Sequence, residues 1–393
     1  MHRTLRLSAL TALAVLMLGP FASSASGGTT ASYIVQVDPA AGAVSQVVQA
    51  ALAPLGGTVD QTFSDAINGA VVTLPVVAAG ILAAVPGITS VEPNGTKSIS
   101  ETQSNPPWGL DRIDQANLPL NTAYAYTRTG DGVDAYIIDT GIRVSHSDFG
   151  ARATSGMDAI DNDNNADDCN GHGTHVAGTT GGATYGVAKK VRLIAVRVLD
   201  CDGSGTDAQV IKGINWVIEH HQNGKSAVAN ISFGGSASSA VDTAVRNLIK
   251  DGITVALAAG NESTDACKSS PARVAEAITV AATDASDAMT SFSNGGTCVD
   301  LLAPGAGITS AWNDSNTGTN TISGTSMSAP HVTGAAARYL AAHPGTPPSG
   351  VATALINASA KNRITKTERS CQLLVLLCRP ATANRLLYLA PSS

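Results

Sequence analysis

Apolar and polar positions alternate in two different ways along the chain, and the change falls near residue 108. Before it, short runs with the two-residue period of β-strands are separated by runs with apolar residues at helical spacing. The strand-like runs are residues 33–37, 70–74 and 88–91, and the helix-like runs are residues 44–55 and 76–85. This order predicts a small α+β, ferredoxin-like domain of βαββαβ type. The polar stretch 97–107 is typical of an exposed linker.

After residue 108, short apolar runs rich in β-branched residues alternate with helical segments. The predicted strands are 133–138, 191–198, 227–231, 253–257 and 277–281, and the clearest helices are 207–222 and 237–251. Alternating elements of this kind predict an α/β fold with a mostly parallel central sheet covered by helices on both faces. Ligand chemistry in such sheets collects at the carboxyl ends of the strands.

The start of the chain has the features of a secretory signal. Basic residues between Met1 and Arg6 precede a mostly apolar run over residues 7–18, and small residues follow at 22–25. The run is shorter than the roughly 20 residues that span a bilayer. We therefore interpret residues 1–25 as a cleaved signal peptide and expect a secreted protein without membrane attachment.

Composition and charge narrow the possible partners. The chain has 393 residues, of which 44% are hydrophobic, so it can bury a substantial core. Its formal net charge of −6 leaves no basic surface to neutralise a phosphate backbone, which excludes nucleic acid as an expected partner.

The cysteines suit an oxidising compartment. They fall as three neighbouring pairs in the sequence, and no C-x-x-C element is present to suggest a metal cluster. Six cysteines allow fifteen pairings, so the residues alone leave the connectivity open. The positions are Cys169, Cys201, Cys267, Cys298, Cys371 and Cys378.

Asp139 and His172 are candidates for an interacting carboxylate–imidazole pair. Asp139 ends a predicted strand, although an aspartate at that place more often simply starts a turn. His172 lies between two glycines at the expected start of a helix, where substrate backbone could approach without a neighbouring Cβ. His175 follows at one helical turn, but the zinc motif H-E-x-x-H requires a glutamate that is absent, so we interpret His175 as a packed residue.

A serine and an asparagine complete the candidate chemistry. Ser326 precedes a helical run, so its own N–H and the positive end of the helix dipole can face a developing anion. We expect Pro330 to fall in the first turn of that helix, where it does no harm. Asn261 follows a predicted strand, and its neutral amide could donate to an oxyanion.

In the order Asp, His, Asn, Ser, these segments resemble the subtilisin (subtilase) family, most closely its proteinase K-like, aqualysin-like branch. The resemblance covers nearly all of residues 108–389, and residues 32–97 look like that family's inhibitor propeptide. It implies a signal peptide over 1–25, a propeptide over 26–101 and a subtilisin-like, three-layer catalytic domain over 102–393. It also implies a monomer with protein and peptide substrates, and self-cleavage of a propeptide that acts as chaperone and inhibitor. We expect the propeptide tail around residues 98–104 to fill the cleft until it is cut.

The resemblance assigns a role to each residue. Ser326 would attack the scissile carbonyl, His172 would transfer the proton and Asp139 would orient the imidazole, while Asn261 and the Ser326 N–H would hold the oxyanion. Substrate would add as a strand between two loops, and small residues in the wall of the first pocket suggest an apolar or aromatic P1 side chain. The substrate-binding residues would be Ser232, Phe233, Gly234, Gly203, Ser204, Gly205, Ala258, Ala259 and Gly260.

Calcium is the cofactor that the resemblance implies, with no organic cofactor. One site would use Asp300 with the carbonyls of Ala275 and Ala277, and another would use Asp111, Asp114 and Gln115. At the second site Asn121 and Ala123 depart from the usual ligands. A cluster of carboxylates before His172 could be a further site or simply a solvated loop; its members are Asp158, Asp161, Asp163, Asp167 and Asp168.

Two disulfides, Cys169–Cys201 and Cys267–Cys298, match positions in aqualysin-like relatives. Residues 364–380 depart from the family pattern, and we interpret them as a surface insertion closed by a Cys371–Cys378 bridge. Two other functions remain open: a catalytically silent binding protein of the same fold, and an esterase or peptide ligase that uses the same acyl-enzyme chemistry.

Overall fold

The computed structural model describes residues 29–95, 101–367, 370–371 and 378–390. The predicted signal peptide, residues 1–25, lies outside the described residues. The chain divides into two compact units, Met1–Lys97 and Ser98–Ser393. Each unit has its own hydrophobic core.

The first unit has the predicted βαββαβ order, and its strands pair in the antiparallel order β2-β3-β1-β4. Its core lies between the sheet and helix α1, where Val35, Val48 and Leu74 are fully buried. Strand β2 is mostly polar, which is why its alternation did not show in the sequence. The elements are β1 Thr30–Val37, α1 Val44–Leu52, β2 Thr58–Phe63, β3 Gly69–Pro75, α2 Ala79–Leu82 and β4 Ile88–Pro93.

The second unit is built on a nine-stranded sheet of order β18-β21-β15-β14-β12-β10-β7-β9-β8. All of its neighbouring strands run parallel except β18 and β21. The sheet strands are β7 Asp134–Asp139, β8 Ala153–Asp158, β9 Arg192–Arg197, β10 Ala227–Ile231, β12 Thr254–Ala258, β14 Ile278–Thr283, β15 Leu301–Pro304, β18 Ala360–Lys361 and β21 Arg385–Leu386.

Helices and short strand pairs surround this sheet. The helices are α3 Trp108–Ile113, α4 His172–Gly181, α5 Asp207–His220, α6 Ser239–Lys250, α7 Thr325–Ala342 and α8 Pro348–Ala358. The remaining strands pair as β5 Glu101–Ser104 with β6 Ala123–Tyr126, β11 Gly235–Ser236 with β13 Ser269–Ser270, β16 Ile308–Ala311 with β17 Thr319–Ile322, and β19 Ser370–Cys371 with β20 Cys378–Arg379.

Strand β7 shows why the apolar runs predicted a covered sheet. Ala135 and Ile137 pack into one buried cluster, whereas Tyr136 and Ile138 pack into the cluster on the opposite face. A strand that must fill two cores has no solvent face, so its sequence cannot alternate between apolar and polar residues. The three-layer α/β prediction is confirmed.

Helix α7 is continuous through Pro330, which lies past the first turn rather than within it as the sequence suggested. Proline has no N–H to offer the carbonyl four residues earlier, which here is that of Ser326. The hydroxyl of Ser232 donates to this carbonyl at 2.9 Å. The helix therefore tolerates the proline because an outside donor replaces the missing one.

Two of the expected disulfides are present, Cys169–Cys201 and Cys267–Cys298. Strands β19 and β20 place the backbones of Cys371 and Cys378 opposite each other. The side chains of that pair lie outside the described residues, so their bridge remains a prediction.

Strand β5 differs from our expectation for the linker. Its residues, Glu101 to Ser104, pair with β6 in the second unit instead of lying in a substrate cleft. Among the described residues, no helix is long and apolar enough to cross a membrane.

Candidate active site

The candidate site lies at the carboxyl ends of three adjacent central strands, β7, β10 and β12. Asp139 is the last residue of β7, Ser232 follows the end of β10, and Asn261 lies in the turn after β12. Parallel strands bring these three ends to one edge of the sheet. Asp139, Ser232 and Asn261, which follow separate apolar runs in the sequence, therefore come together in space.

Asp139 and His172 form a direct hydrogen bond. The Nδ1 atom of His172 lies 2.7 Å from Oδ1 of Asp139, which also accepts the backbone N–H of Thr140. Asp139 is fully buried, whereas the imidazole keeps a quarter of its surface exposed to the cleft. Burial opposes protonation of His172, but the charge and hydrogen bond of Asp139 and the charge of Asp168 outweigh it, so the pKa of His172 is raised.

His172 is the first residue of α4 and follows Gly171, which adopts a left-handed backbone conformation with φ of 113°. Gly173, on its other side, packs against the turn after Asp139, where an added Cβ would collide with the carbonyl oxygen of Gly141. The two glycines thus allow the helix start to approach the end of β7 closely.

Ser326 is held near the start of α7 by a reciprocal pair of hydrogen bonds with Ser232. Its hydroxyl donates to the Ser232 carbonyl at 2.7 Å, and the Ser232 hydroxyl donates to the Ser326 carbonyl. Ser326 and His172 line the same cleft, but the described residues contain no hydrogen bond between the Ser326 hydroxyl and the His172 ring. Catalytic hydrogen bonds often form only when substrate is bound.

The amide of Asn261 is oriented by Thr325. Its Oδ1 atom accepts the Thr325 backbone N–H at 2.8 Å and the Thr325 hydroxyl at 3.0 Å. Because both neighbours are donors, the acceptor atom of the amide is fixed toward them. The Nδ2 atom of Asn261 is then the atom that can donate into the cleft.

The predicted substrate-binding residues line two adjoining pockets of about 680 and 260 Å³. The larger one contains His172, Ser326 and Asn261 together with Ser232, Phe233, Gly234, Gly203, Ala258, Ala259 and Gly260. Ser204 and Gly205 line the smaller one, which shares Gly203, Phe233 and Gly234 with the first. All nine predicted residues are therefore gathered along one groove.

Asp300 is a good candidate for a cation ligand outside this groove. Its carboxylate lines a separate cleft of about 690 Å³ together with Ala275 and Ala277. Burial raises the pKa of Asp300 to about 6, although it accepts the Thr279 N–H at 2.9 Å. A partly buried carboxylate with little compensation for its charge beyond the Thr279 N–H and Arg385 fits a hard cation such as calcium.

The second predicted calcium site fits less completely. The two carboxylate oxygens of Asp111 accept the N–H groups of Asn121 and Thr122, and Gln115 donates to nearby carbonyls. Asp114 accepts the Ala125 N–H with Oδ2, but its buried Oδ1 atom has no hydrogen-bond partner. Burial raises the pKa of Asp114 to about 6. One orphaned oxygen is therefore available for a cation.

The carboxylate cluster before His172 is not organised as a ligand set. Asp158 forms an ion pair with Arg197, which also contacts Asp161. Asp168 is buried and accepts hydrogen bonds from the segment around His172. The interpretation as a solvated loop holds only in part: Asp161, Asp163 and Asp167 are exposed, whereas Asp158 and Asp168 are buried.

Two further histidines near the site are structural. His175 lies within hydrogen-bond distance of the Ile308 carbonyl, and His331 contacts the Met327 carbonyl. Burial lowers the pKa of each to about 4, so neither carries charge near neutral pH.

The sequence did not reveal two residues that shape the site. Thr325 fixes the amide of Asn261. In the sequence, only the position of Thr325 next to Ser326 could have suggested a role in the site. Asn294 is fully buried and binds the turn on both sides of Asn261, through the Ala259 carbonyl and the Glu262 N–H. It lies far from every motif in sequence, so no local pattern identifies it.

An α/β fold that places a serine, an imidazole–carboxylate pair and an amide donor in one cleft is typical of a serine hydrolase. The Subtilase family model matches residues 130–372, and the chain therefore belongs to the subtilase family and is a serine-type hydrolase. It is 52% identical over 321 residues to an extracellular serine proteinase of Thermus sp. (strain Rt41A), covering 82% of this chain and 78% of the relative.

Other relatives agree with this assignment. An alkaline serine exoprotease A of Vibrio alginolyticus is 47% identical over 81% of this chain and 60% of its own length. The crystal structure of a cold adapted subtilisin-like serine proteinase matches with a TM-score of 0.68 and 49% identity, covering 72% of this chain and 98% of that one.

Proposed function

We propose that this protein is a secreted serine endopeptidase in which Ser326 is the nucleophile, His172 the general base and acid, and Asp139 the carboxylate that orients the imidazole. The observation that carries the proposal is the 2.7 Å contact between His172 and Asp139 in the cleft that also contains Ser326. Because Nδ1 faces the carboxylate, Nε2 is the ring atom left to take the serine proton.

Substrate binding would complete the arrangement. The Ser232 carbonyl now accepts the Ser326 hydroxyl, and an extended peptide lying along residues 232–234 would offer a backbone N–H to the same carbonyl. Displaced from it, the hydroxyl can turn toward His172. His172 takes the proton as the hydroxyl attacks the scissile carbonyl, and the oxyanion of the tetrahedral intermediate accepts hydrogen bonds from the Asn261 amide and the Ser326 N–H. His172 then gives the proton to the leaving amine as the C–N bond breaks, which leaves the acyl enzyme for hydrolysis by water.

The experiment that tests this proposal compares Ser326→Ala with Ser323→Ala. Ser323 provides a matched control, because its hydroxyl accepts the Gly307 N–H close by. We expect Ser326→Ala to lose both fluorophosphonate labelling and casein hydrolysis, and Ser323→Ala to keep both. Labelling of the unaltered protein without proteolysis would favour an esterase or ligase, and absence of both would favour a binding protein.

The walls of the groove support a preference for apolar or aromatic side chains at P1. Ala258, Ala259 and Gly260 leave room beside Asn261, and Phe233 adds an apolar surface. A P1 peptide library should be cleaved best after such residues. Best cleavage after lysine or arginine would contradict this specificity.

The first unit would serve as a propeptide that assists folding and then blocks the site. A sheet of long-range parallel pairs folds slowly, so a separately folded domain can act as a template. We place self-cleavage close to residue 101, at the end of the proposed 26–101 segment, after removal of a signal over 1–25. The released enzyme would be a monomer acting on proteins and peptides outside the cell. Ser326→Ala should accumulate as an unprocessed precursor, and N-terminal sequencing of the unaltered protein locates both cuts.

Calcium would stabilise the released enzyme. We propose that Asp300 with the carbonyls of Ala275 and Ala277 holds one ion, and that Asp111, Asp114 and Gln115 contribute to a second. The partly buried carboxylate of Asp300 and the buried one of Asp114, each with a raised pKa, support these positions. The ions would add no step to the reaction; they would hold loops in place.

A further inference from the structure

Asp168 is a buried carboxylate whose oxygens are surrounded by hydrogen-bond donors. Its Oδ1 atom accepts the Thr140 hydroxyl and the N–H groups of Asn170 and Gly171, each at 2.9 Å. Its Oδ2 atom accepts the Thr174 N–H at 2.9 Å and the Thr174 hydroxyl at 2.6 Å. None of these hydrogen bonds has a role in the proposed catalytic steps.

The donors belong to the two segments that carry the catalytic pair. Thr140 directly follows Asp139, and its hydroxyl also accepts the Gly173 N–H at 2.9 Å. Asn170, Gly171 and Thr174 flank His172 at the start of α4. One carboxylate thus joins the end of strand β7 to the first turn of the helix that presents the base.

We propose that Asp168 is a positioning residue for catalysis, which fixes the separation of His172 from Asp139 by binding the turn after β7 to the start of α4. This inference rests on the proposed function of His172 as the base. A carboxylate suits the task because both of its oxygens accept several hydrogen bonds, and because negative charge is stabilised at a helix N-terminus.

The charge of Asp168 also acts on His172. Alongside the larger effect of Asp139, it favours the protonated imidazole and contributes to the raised pKa of His172. The other titratable groups near the imidazole are His175, which is neutral at neutral pH, and Asp202, Glu262 and Lys268, which line the same cleft. None of these is altered by a substitution at residue 168.

The test uses Asp168→Asn, which keeps the size of the side chain and removes its charge. We expect kcat, normalised to titrated active sites, to fall by about tenfold to a hundredfold with little change in KM, because the base is misplaced. The acid limb of the pH–rate profile should move to lower pH. Asp242→Asn is the matched control, since Asp242 is equally buried but lies on the outer helix α6 and pairs with Arg273.

A second pair of variants guards against a simple loss of folding. Thr140→Val removes the hydroxyl that connects Asp168 to Gly173, whereas Thr140→Ser keeps it. We expect the valine variant to lose kcat and the serine variant to retain it. Equal kcat in the two variants, or an Asp168→Asn enzyme that only melts earlier, would overturn the inference.

A nuclear magnetic resonance titration separates this inference from the proposed function. In a Ser326→Ala background, which prevents self-digestion, adding Asp168→Asn should lower the pKa of His172. That result supports the role of Asp168 even if the unaltered protein proves not to cleave proteins. An unchanged His172 titration in an active enzyme would contradict the inference and leave the proposed function intact.

Discussion

The hydroxyl of Thr325 offers the sharpest test of how the oxyanion site is built. It donates to Oδ1 of Asn261 and accepts the Gly260 N–H, both at 3.0 Å. Thr325→Val keeps the shape of the side chain and removes both bonds. The Thr325 N–H still holds the Asn261 amide at 2.8 Å, so the amide becomes less well oriented rather than lost.

The size of the effect follows from these contacts. Losing one net hydrogen bond to the proposed oxyanion donor costs about 1 kcal/mol, and each 1.36 kcal/mol lowers the rate about tenfold. We therefore expect Thr325→Val to reduce kcat by about fivefold with KM nearly unchanged. This is less than the hundredfold to thousandfold loss typical of removing an oxyanion donor, a figure measured on subtilisin, a relative.

A double-mutant cycle in a steady-state peptide assay distinguishes orientation from general damage. Thr325→Ser, which keeps the hydroxyl, should be close to the unaltered enzyme. In an Asn261→Ala background, Thr325→Val should have little further effect on kcat. Equal losses for serine and valine, or full additivity with Asn261→Ala, would refute the reasoning.

Three further predictions concern pH, calcium and the disulfides. Because the pKa of His172 is raised, kcat/KM should fall as pH falls through a midpoint above the ordinary value of 6.5; a midpoint below it contradicts the pairing with Asp139. The raised pKa of His172 also stabilises the folded protein. This stabilisation is fully present below the pKa of the histidine in the unfolded state, and it is lost as pH rises through its pKa in the folded state. Asp300→Asn should reduce the EGTA-induced drop in melting temperature, leaving the part due to the second proposed site, whereas Glu276→Gln, in the same cleft, should not change it. Equal EGTA effects in the two variants would show that Asp300 does not bind calcium. Replacing Cys267 and Cys298 with alanine should cost about 3 to 4 kcal/mol of unfolding free energy in denaturant titration, and an unchanged midpoint would show that this loop is already constrained.

The sequence predicted the central sheet well because its strands are buried on both faces. Such strands must be continuous apolar runs, and the polar residues at their ends then stand out, as Asp139 and Asn261 did. Strand β2 was missed for the opposite reason, since its residues are mostly exposed and polar.

The supporting contacts could not be predicted, because they join residues that are distant along the chain. Nothing near Asp168 shows that its carboxylate faces Thr140, and nothing near Asn294 points to the turn around Asn261. Pro330 was expected in the first turn of α7, where its missing N–H would do no harm. The donor that compensates for this N–H is the hydroxyl of Ser232 on another element, and no local pattern reveals it. Local patterns suggest which groups could react, whereas the contacts that orient these groups depend on the folded chain.

The central claim is that one serine hydroxyl is made reactive by the imidazole and carboxylate beside it. Mass spectrometry of the peptides from fluorophosphonate-treated protein tests it most directly. We predict a single adduct, on Ser326, that fails to form in folded His172→Ala. An adduct on another residue, or equal labelling of Ser326 without the imidazole, would contradict it.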